Sequence, residues 1–95
     1  MALITWDEER TYVREDFSDH LGGVYETDTV RASVDVSPPF LDIVTTYGVN
    51  VTVHDKRTHM SLTTSAKGET EPAAMARAET LVAQLIVLLE HWRTL

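Results

Sequence analysis

The segment EPAAMARAETLVAQLIVLLEHWRTL spans residues 71–95 and has the apolar periodicity of one long helix. Pro72 suits its first turn, after Thr70 or Glu71, because proline lacks the N–H group that would be unpaired there. At 100° per residue, the apolar side chains form two adjacent lines. One line holds Ala78, Leu81, Leu85, Leu88 and Trp92, and the other holds Met75, Val82, Ile86 and Leu89. Thr80, Gln84, Val87 and His91 lie opposite both lines.

This apolar band is wider than a single sheet would cover, and it has two interpretations. In the first, both lines contact the chain's own core, with a sheet below the helix and another helix beside it. In the second, one line forms an interface with a second copy or another protein, since large exposed apolar patches commonly mark such contacts. A symmetric homodimer is the commonest form of self-assembly. The residues expected at that assembly interface are Met75, Val82, Ile86 and Leu89.

Two segments alternate between apolar and polar side chains, which predicts half-buried strands. The first is residues 30–37, with three valines and an alanine on one side, and residues 24–29 either extend it or form a separate edge strand. The second is residues 49–63, where the alternation resumes after Asp55-Lys56-Arg57-Thr58 and so indicates a hairpin. Pairing Val53 with Met60 and Val51 with Leu62 keeps the apolar residues together, although a tip without glycine allows a wider loop.

Residues 40–47 permit two conformations. Pro38 in a first turn and Gly48 as a stop would bound a short helix. The β-branched run at residues 43–46 instead favours a strand, because such side chains lose rotamer freedom in a helix. We expect a strand here and keep the short helix as the alternative.

The segment from Thr5 to Gly23 has the signals of another helix, of about 15 residues. Thr5 and Glu8 are spaced as a capping box, in which each side chain accepts a hydrogen bond from a free backbone N–H. The glycine pair at residues 22–23 supplies a stop, since glycine readily adopts the left-handed conformation that closes a helix. One face of this helix would hold Trp6, Val13, Phe17 and Leu21.

These elements predict an α+β, two-layer fold in a single domain, residues 1–95. Its expected parts are an N-terminal helix, a three- or four-stranded antiparallel sheet, and a long C-terminal helix packed on one sheet face. The other sheet face is left polar.

Acidic residues are concentrated at the start of the sequence. Residues 1–29 hold eight acids and two bases, a net charge of −6, whereas residues 30–95 hold seven acids and six bases, a net charge of −1. On the predicted first helix the acids form a ridge around one tyrosine, and aromatic residues often anchor interfaces. The ridge is either a solvated surface or a site for a basic protein partner. The residues expected to bind such a partner are Glu8, Tyr12, Glu15, Asp16 and Asp19.

Residue patterns for catalysis and cofactor binding are missing from the sequence. It has no cysteine, no nucleophile elbow and no phosphate-binding glycine motif, so we expect neither an enzyme nor a cofactor. The predicted hairpin places His54 opposite His59, but two histidines fall short of the three or four ligands of a zinc site, so we expect no metal. Its few lysines and arginines form no basic stripe, which disfavours direct nucleic-acid binding.

The expected setting is the cytoplasm, without membrane contact, because the sequence shows no disulfide pairs, signal peptide or uninterrupted span. Two functions fit. The first is a small, acidic, non-enzymatic protein-binding module, such as an inhibitor of the phage anti-defence or immunity type, with the acidic first helix bound to a basic surface. The alternative is a structural or chaperone-like assembly component that uses the apolar C-terminal helix as a dimer or partner interface.

Overall fold

The computed structural model of the chain describes residues 3–7, 11–13, 18–39 and 45–93. Within these ranges, six β-strands precede one long α-helix. The strands are β1 (Thr5–Trp6), β2 (Thr11–Val13), β3 (Ser18–Glu26), β4 (Val30–Ser37), β5 (Tyr47–Asp55) and β6 (Ser61–Gly68), and the helix is α1 (Glu71–Arg93).

The main sheet has five strands in the order β1-β3-β4-β5-β6, and every neighbouring pair is antiparallel. β2 pairs with β3 off this path, beside β1 on the same edge. The α+β class and the C-terminal helix on an antiparallel sheet are therefore confirmed. The predicted strand count of three or four was wrong, because strands also form between Thr5 and Glu26.

The predicted N-terminal helix was also wrong. Thr5 and Trp6 pair with Val24 and Gly23, and residues 11–13 pair with residues 18–20. The local capping and stop signals are overridden by strand pairing, which buries Ile4 and Leu21 on the sheet's inner face. The glycine pair lies inside β3, where Gly23 leaves room for the side chains of Ile4 and Trp6.

The β5–β6 hairpin forms, but its register differs from the predicted one by two residues. Val53 pairs with Leu62 and Val51 with Thr64. The loop is wider than a two-residue turn: the Asp55 N–H donates to the Met60 carbonyl, and His59 adopts a left-handed φ of 61°. A shift of two residues leaves every side chain on its predicted face, because the side-chain period of a strand is two.

The core lies between the sheet and α1. Alternate residues of β4 and β5 are buried against Ala74, Ala78, Val82, Leu85 and Leu89 of the helix. Thr70 caps α1, since its hydroxyl accepts from the Ala73 N–H. Gly68 permits a close approach of the first turn, because an added Cβ would lie 2.6 Å from the Ala74 nitrogen. Of the ambiguous residues 40–47, positions 40–44 lie outside the described residues, 45 and 46 are in neither helix nor strand, and Tyr47 begins β5.

Candidate functional site

The part of α1 that the sheet does not cover is apolar. Val87 is 64% exposed, Trp92 is 51% exposed and Leu88 is 45% exposed. They are the large exposed hydrophobic residues of the described part of the chain. A solvent-facing helix surface normally carries charged and polar residues, so this surface has the composition of a contact.

Charge is nearly missing from this part of the helix. Residues 80–89 contain no Asp, Glu, Lys or Arg, a span of almost three turns. The acids Glu79 and Glu90 flank this segment, and Glu79 binds the start of the chain: its carboxylate accepts the Leu3 N–H at 2.7 Å and the Ile4 N–H at 3.2 Å. Glu79 therefore stabilises the docking of the N-terminal segment onto α1 and contributes little polarity to the outer surface.

Two of the exposed apolar residues, Val87 and Leu88, line a shallow, open groove on α1. Its lining is formed by Ala83, Gln84, Val87 and Leu88 and is almost wholly apolar. Gln84 is the one residue of that lining that can donate and accept side-chain hydrogen bonds. The groove suits an apolar side chain of another molecule better than a charged ligand. We call the exposed residues Val87, Leu88 and Trp92, together with this groove, the outer face of α1.

By length and composition α1 would also be able to span a membrane, a property that core helices of soluble proteins share. Only 22% of the residues in its most apolar window are buried, so most residues of that window remain at least partly exposed. The buried residues that do exist lie on one line against the valines of β4 and β5. One side of the helix is thus used by the fold and the other is open.

The structure places the predicted assembly residues close to the sheet. Val82 is 0% exposed and Leu89 is 2% exposed, while Met75 and Ile86 are partly buried against the core. The role of these four residues in assembly stays a prediction. Val87 was missed at the level of sequence, where it was grouped with Thr80, Gln84 and His91 as the polar side; a valine among those residues was the available signal.

The predicted acidic ridge is replaced by a different arrangement. Glu8, Glu15 and Asp16 lie outside the described residues. Tyr12 and Asp19 are brought together, because they are direct partners across the antiparallel β2–β3 pair. Asp19 is exposed. Asp19 therefore belongs to a strand pair at the sheet edge, and not to a helix.

The outer sheet face is polar, and its histidines have nearby partners. Nδ1 of His54 lies 2.9 Å from Oγ of Ser61, and the His54 and His59 ring centroids are 5.9 Å apart. Nδ1 of His20 lies 2.8 Å from a carboxylate oxygen of Asp35. Among residues 3–7, 11–13, 18–39 and 45–93, no group of three or more His, Cys, Asp or Glu side chains could hold a metal ion.

The Glu26–Lys56 ion pair links the β3–β4 and β5–β6 connections at one end of the sheet. Nζ of Lys56 lies 2.7 Å from Oε2 of Glu26 and donates to the Thr27 carbonyl at 2.9 Å. The hydrogen bond from Lys56, and then its positive charge, lower the pKa of the Glu26 carboxyl. The backbone N–H of Lys56 also donates to the Thr29 carbonyl. These contacts stabilise the fold and form no pocket with α1.

Comparisons with protein-family models, with curated proteins and with solved structures each find no match to this chain.

Proposed function

We propose that this chain is a non-catalytic protein-binding module that works through the outer face of α1. The observation that carries the proposal is the exposure of Val87, Leu88 and Trp92 on a helix segment without charge. The free energy of removing such side chains from water is about 25 cal/mol per Å² of apolar surface. Covering them would therefore favour association with another apolar protein surface.

The residues that line the groove favour a protein partner that places an apolar side chain at the centre of the contact. The lining of Ala83, Val87 and Leu88 offers shape and apolar contact, and Gln84 offers a single polar group at the rim. Interfaces of this composition, with few charges in the centre and an aromatic residue at the side, are typical of assembly contacts. Trp92 is the aromatic residue here.

A second candidate function is binding of a basic protein surface by the acidic β2–β3 region. The observation in its favour is the register that pairs Tyr12 of β2 with the exposed acid Asp19 of β3. The concentration of a −6 charge in residues 1–29 would favour approach of a basic partner. This candidate would act at the opposite sheet edge from β6.

Site-specific photo-crosslinking distinguishes the two candidates. A benzophenone amino acid replaces Leu88 on α1, Asp19 on β3 or Ser33 on the polar sheet face, and each protein is irradiated in the cells from which the chain comes. We expect a protein adduct from position 88 that is absent from position 33, the matched exposed control. An adduct from position 19 alone would favour the acidic candidate instead.

Two results would contradict the proposed use of α1. One is equal labelling from positions 88 and 33, which would show that the outer face of α1 has no preferred partner. The other is labelling of lipid from position 88 without any protein adduct, which would assign this face to a membrane.

A further inference from the structure

We infer that the partner of α1 is a second copy of this chain, joined along β6 in an antiparallel pair that makes one continuous ten-stranded sheet. The inference rests on the proposed function, since it names the occupant of the same apolar helix, and adds an independent observation, the free edge of β6. Within the described residues, β6 pairs with β5 alone and is the last strand of the sheet.

The two edges of the sheet differ in how open they are. The β1 edge is interrupted, with β1 only two residues long and β2 only three. β6 is eight residues long, pairs with β5 throughout and contains no proline. Its single charge is Lys67. Short or broken edges resist pairing with another chain, whereas a long regular edge is a template for it.

The hydrogen-bond pattern identifies the free groups of this edge. The Asp55 N–H donates to the Met60 carbonyl, so residues 55 and 60 form a hydrogen-bonded pair. Hydrogen-bonded and non-hydrogen-bonded pairs alternate along an antiparallel ladder. The even residues of β6 therefore bond to β5, and the N–H and C=O groups of Ser61, Thr63, Ser65 and Lys67 point outward from the sheet.

A two-fold axis at Thr64 uses all of these free groups. It pairs Ser61 with Lys67 of the second copy and Thr63 with Ser65 of the second copy, and each pair exchanges two hydrogen bonds. The same register places Leu62 against Ala66 on the inner face, so apolar residues meet apolar residues. The two lysines lie at opposite ends of the strand pair and do not face each other.

One flank of the uncovered part of α1 is on the β6 side of the helix. Around the helix, Glu79 is about 100° to one side of the buried line and Leu88 about 80° to the other. Glu79 binds Leu3 and Ile4 next to β1, so the side with Leu81, Leu88 and Trp92 faces towards β6. In such a dimer the axes of the two α1 helices would lie about 10–14 Å apart, which is two to three times the distance between neighbouring strands. Leucine and tryptophan side chains reach across such a gap.

Charge also favours this arrangement over other self-contacts. Asp7 and Asp19, the described acids next to β1 and β2, lie at the other edge of the sheet. Joining two copies along β6 keeps these two acids at the two far ends of the ten-stranded sheet. Leu81, Leu88 and Trp92 are uncharged and β6 carries Lys67 as its one charge, so few charges lie in the centre of the contact.

The test is the solution mass of the purified full chain with a proline on the free edge. One chain weighs 10.7 kDa, and a dimer has twice that mass. We expect the dimer mass for the unmodified chain and for Ser65→Ala, and the mass of a single chain for Ser65→Pro. Proline at position 65 removes an outward N–H that β5 does not use, which an edge strand tolerates. Circular dichroism checks that each variant is folded.

A single cysteine gives a second readout if Ser65→Pro does not fold. The chain has no cysteine, and Thr64→Cys would place two sulfur-bearing residues on the two-fold axis as a non-hydrogen-bonded pair, with a Cα separation of about 4.5 Å. We expect a disulfide-linked dimer on mild oxidation, and none from the matched variant Ser33→Cys on β4. Failure of Thr64→Cys to crosslink would overturn the register.

The solution mass and the crosslinking from position 88 together distinguish the dimer from the proposed function of α1. The mass of a single chain for the unmodified protein at all concentrations overturns the dimer, while a heterologous adduct from position 88 still supports α1 as a binding surface. A dimer mass that Ser65→Pro does not change overturns pairing along β6. The absence of any protein adduct from position 88 would contradict the proposed function itself.

Discussion

Gly22 and Gly23 are neighbours in β3 but project to opposite faces of the sheet. A Cβ added to Gly23 would lie 2.5 Å from Cγ2 of Ile4 and 2.9 Å from Cε3 of Trp6. A Cβ added to Gly22 would have Oδ2 of Asp7 as its nearest neighbour, at 3.3 Å. Neither glycine has a positive φ, so both backbones accept a side chain. The difference between the two positions is therefore one of space alone.

Gly23→Ala should lower the free energy of unfolding, by about 1–3 kcal/mol, because Ile4 and Trp6 must move to admit the methyl group. Gly22→Ala is the matched control and should be neutral or stabilising, by up to about 1 kcal/mol, since alanine reduces the entropy of the unfolded chain. Urea unfolding of both variants measures the difference. Equal effects at the two positions would contradict the packing of Ile4 and Trp6 over Gly23.

The Glu26–Lys56 pair should show its effect in the pH dependence of stability. The pKa of Glu26 lies below its ordinary value of 4.5, because Lys56 binds and neutralises the carboxylate. A lowered pKa in the folded state gives stability that is present above pH 4.5 and is lost as pH falls through the folded-state pKa. Both side chains are partly exposed, so the contribution is small and decreases with salt.

Lys56→Gln should return the pKa of Glu26 towards its ordinary value, which an NMR titration of the Glu26 carboxyl carbon measures. Arg57→Gln is the control, since Arg57 is the neighbouring cation and does not contribute to this shift. An unchanged Glu26 titration in Lys56→Gln would contradict the ion pair.

At the scale of elements, the two ends of the chain differ in whether local sequence signals are enough to predict the secondary structure. The start of α1 was predictable because the cap residue Thr70, Pro72 in the first turn and a long apolar period all agree with one another. The conformation of the N-terminal segment was not predictable in this way. Thr5-Trp6-Asp7-Glu8 gives a cap signal for a helix, while Ile4 and Trp6 also alternate as strand residues do. Pairing with β3 decides between the two, and that pairing is a long-range contact that no short segment encodes.

The hairpin was predictable in its existence and in its faces, but not in its register. The alternation of valines from position 49 to 53 fixes which side is buried. The loop geometry, with a left-handed residue at His59, is set by the tip and shifts the pairing by two residues. The free edge of β6 could not be inferred from the sequence either, because strand order is set by long-range pairing between segments that are distant along the chain.

At the scale of the whole molecule, the sheet and α1 form two layers that leave two surfaces incomplete. One is the outer face of α1, and the other is the edge of β6, whose inward residues Leu62, Thr64 and Ala66 remain partly exposed while those of β5 are buried. The sequence did indicate an excess of apolar residues on the last helix. It could not show that the excess lies at Val87, Leu88 and Trp92, because that depends on which line the sheet covers.

Residue-resolved hydrogen exchange of the β6 amides tests directly whether a second copy covers the edge of β6. The Thr64 N–H bonds to β5 in any state, whereas the N–H groups of Thr63 and Ser65 point outward and are protected only by a second strand. At a concentration where the measured mass is that of a dimer, Thr63 and Ser65 should exchange as slowly as Thr64. Exchange of Thr63 and Ser65 at the rate of an unstructured peptide, beside a protected Thr64, would contradict the covered edge.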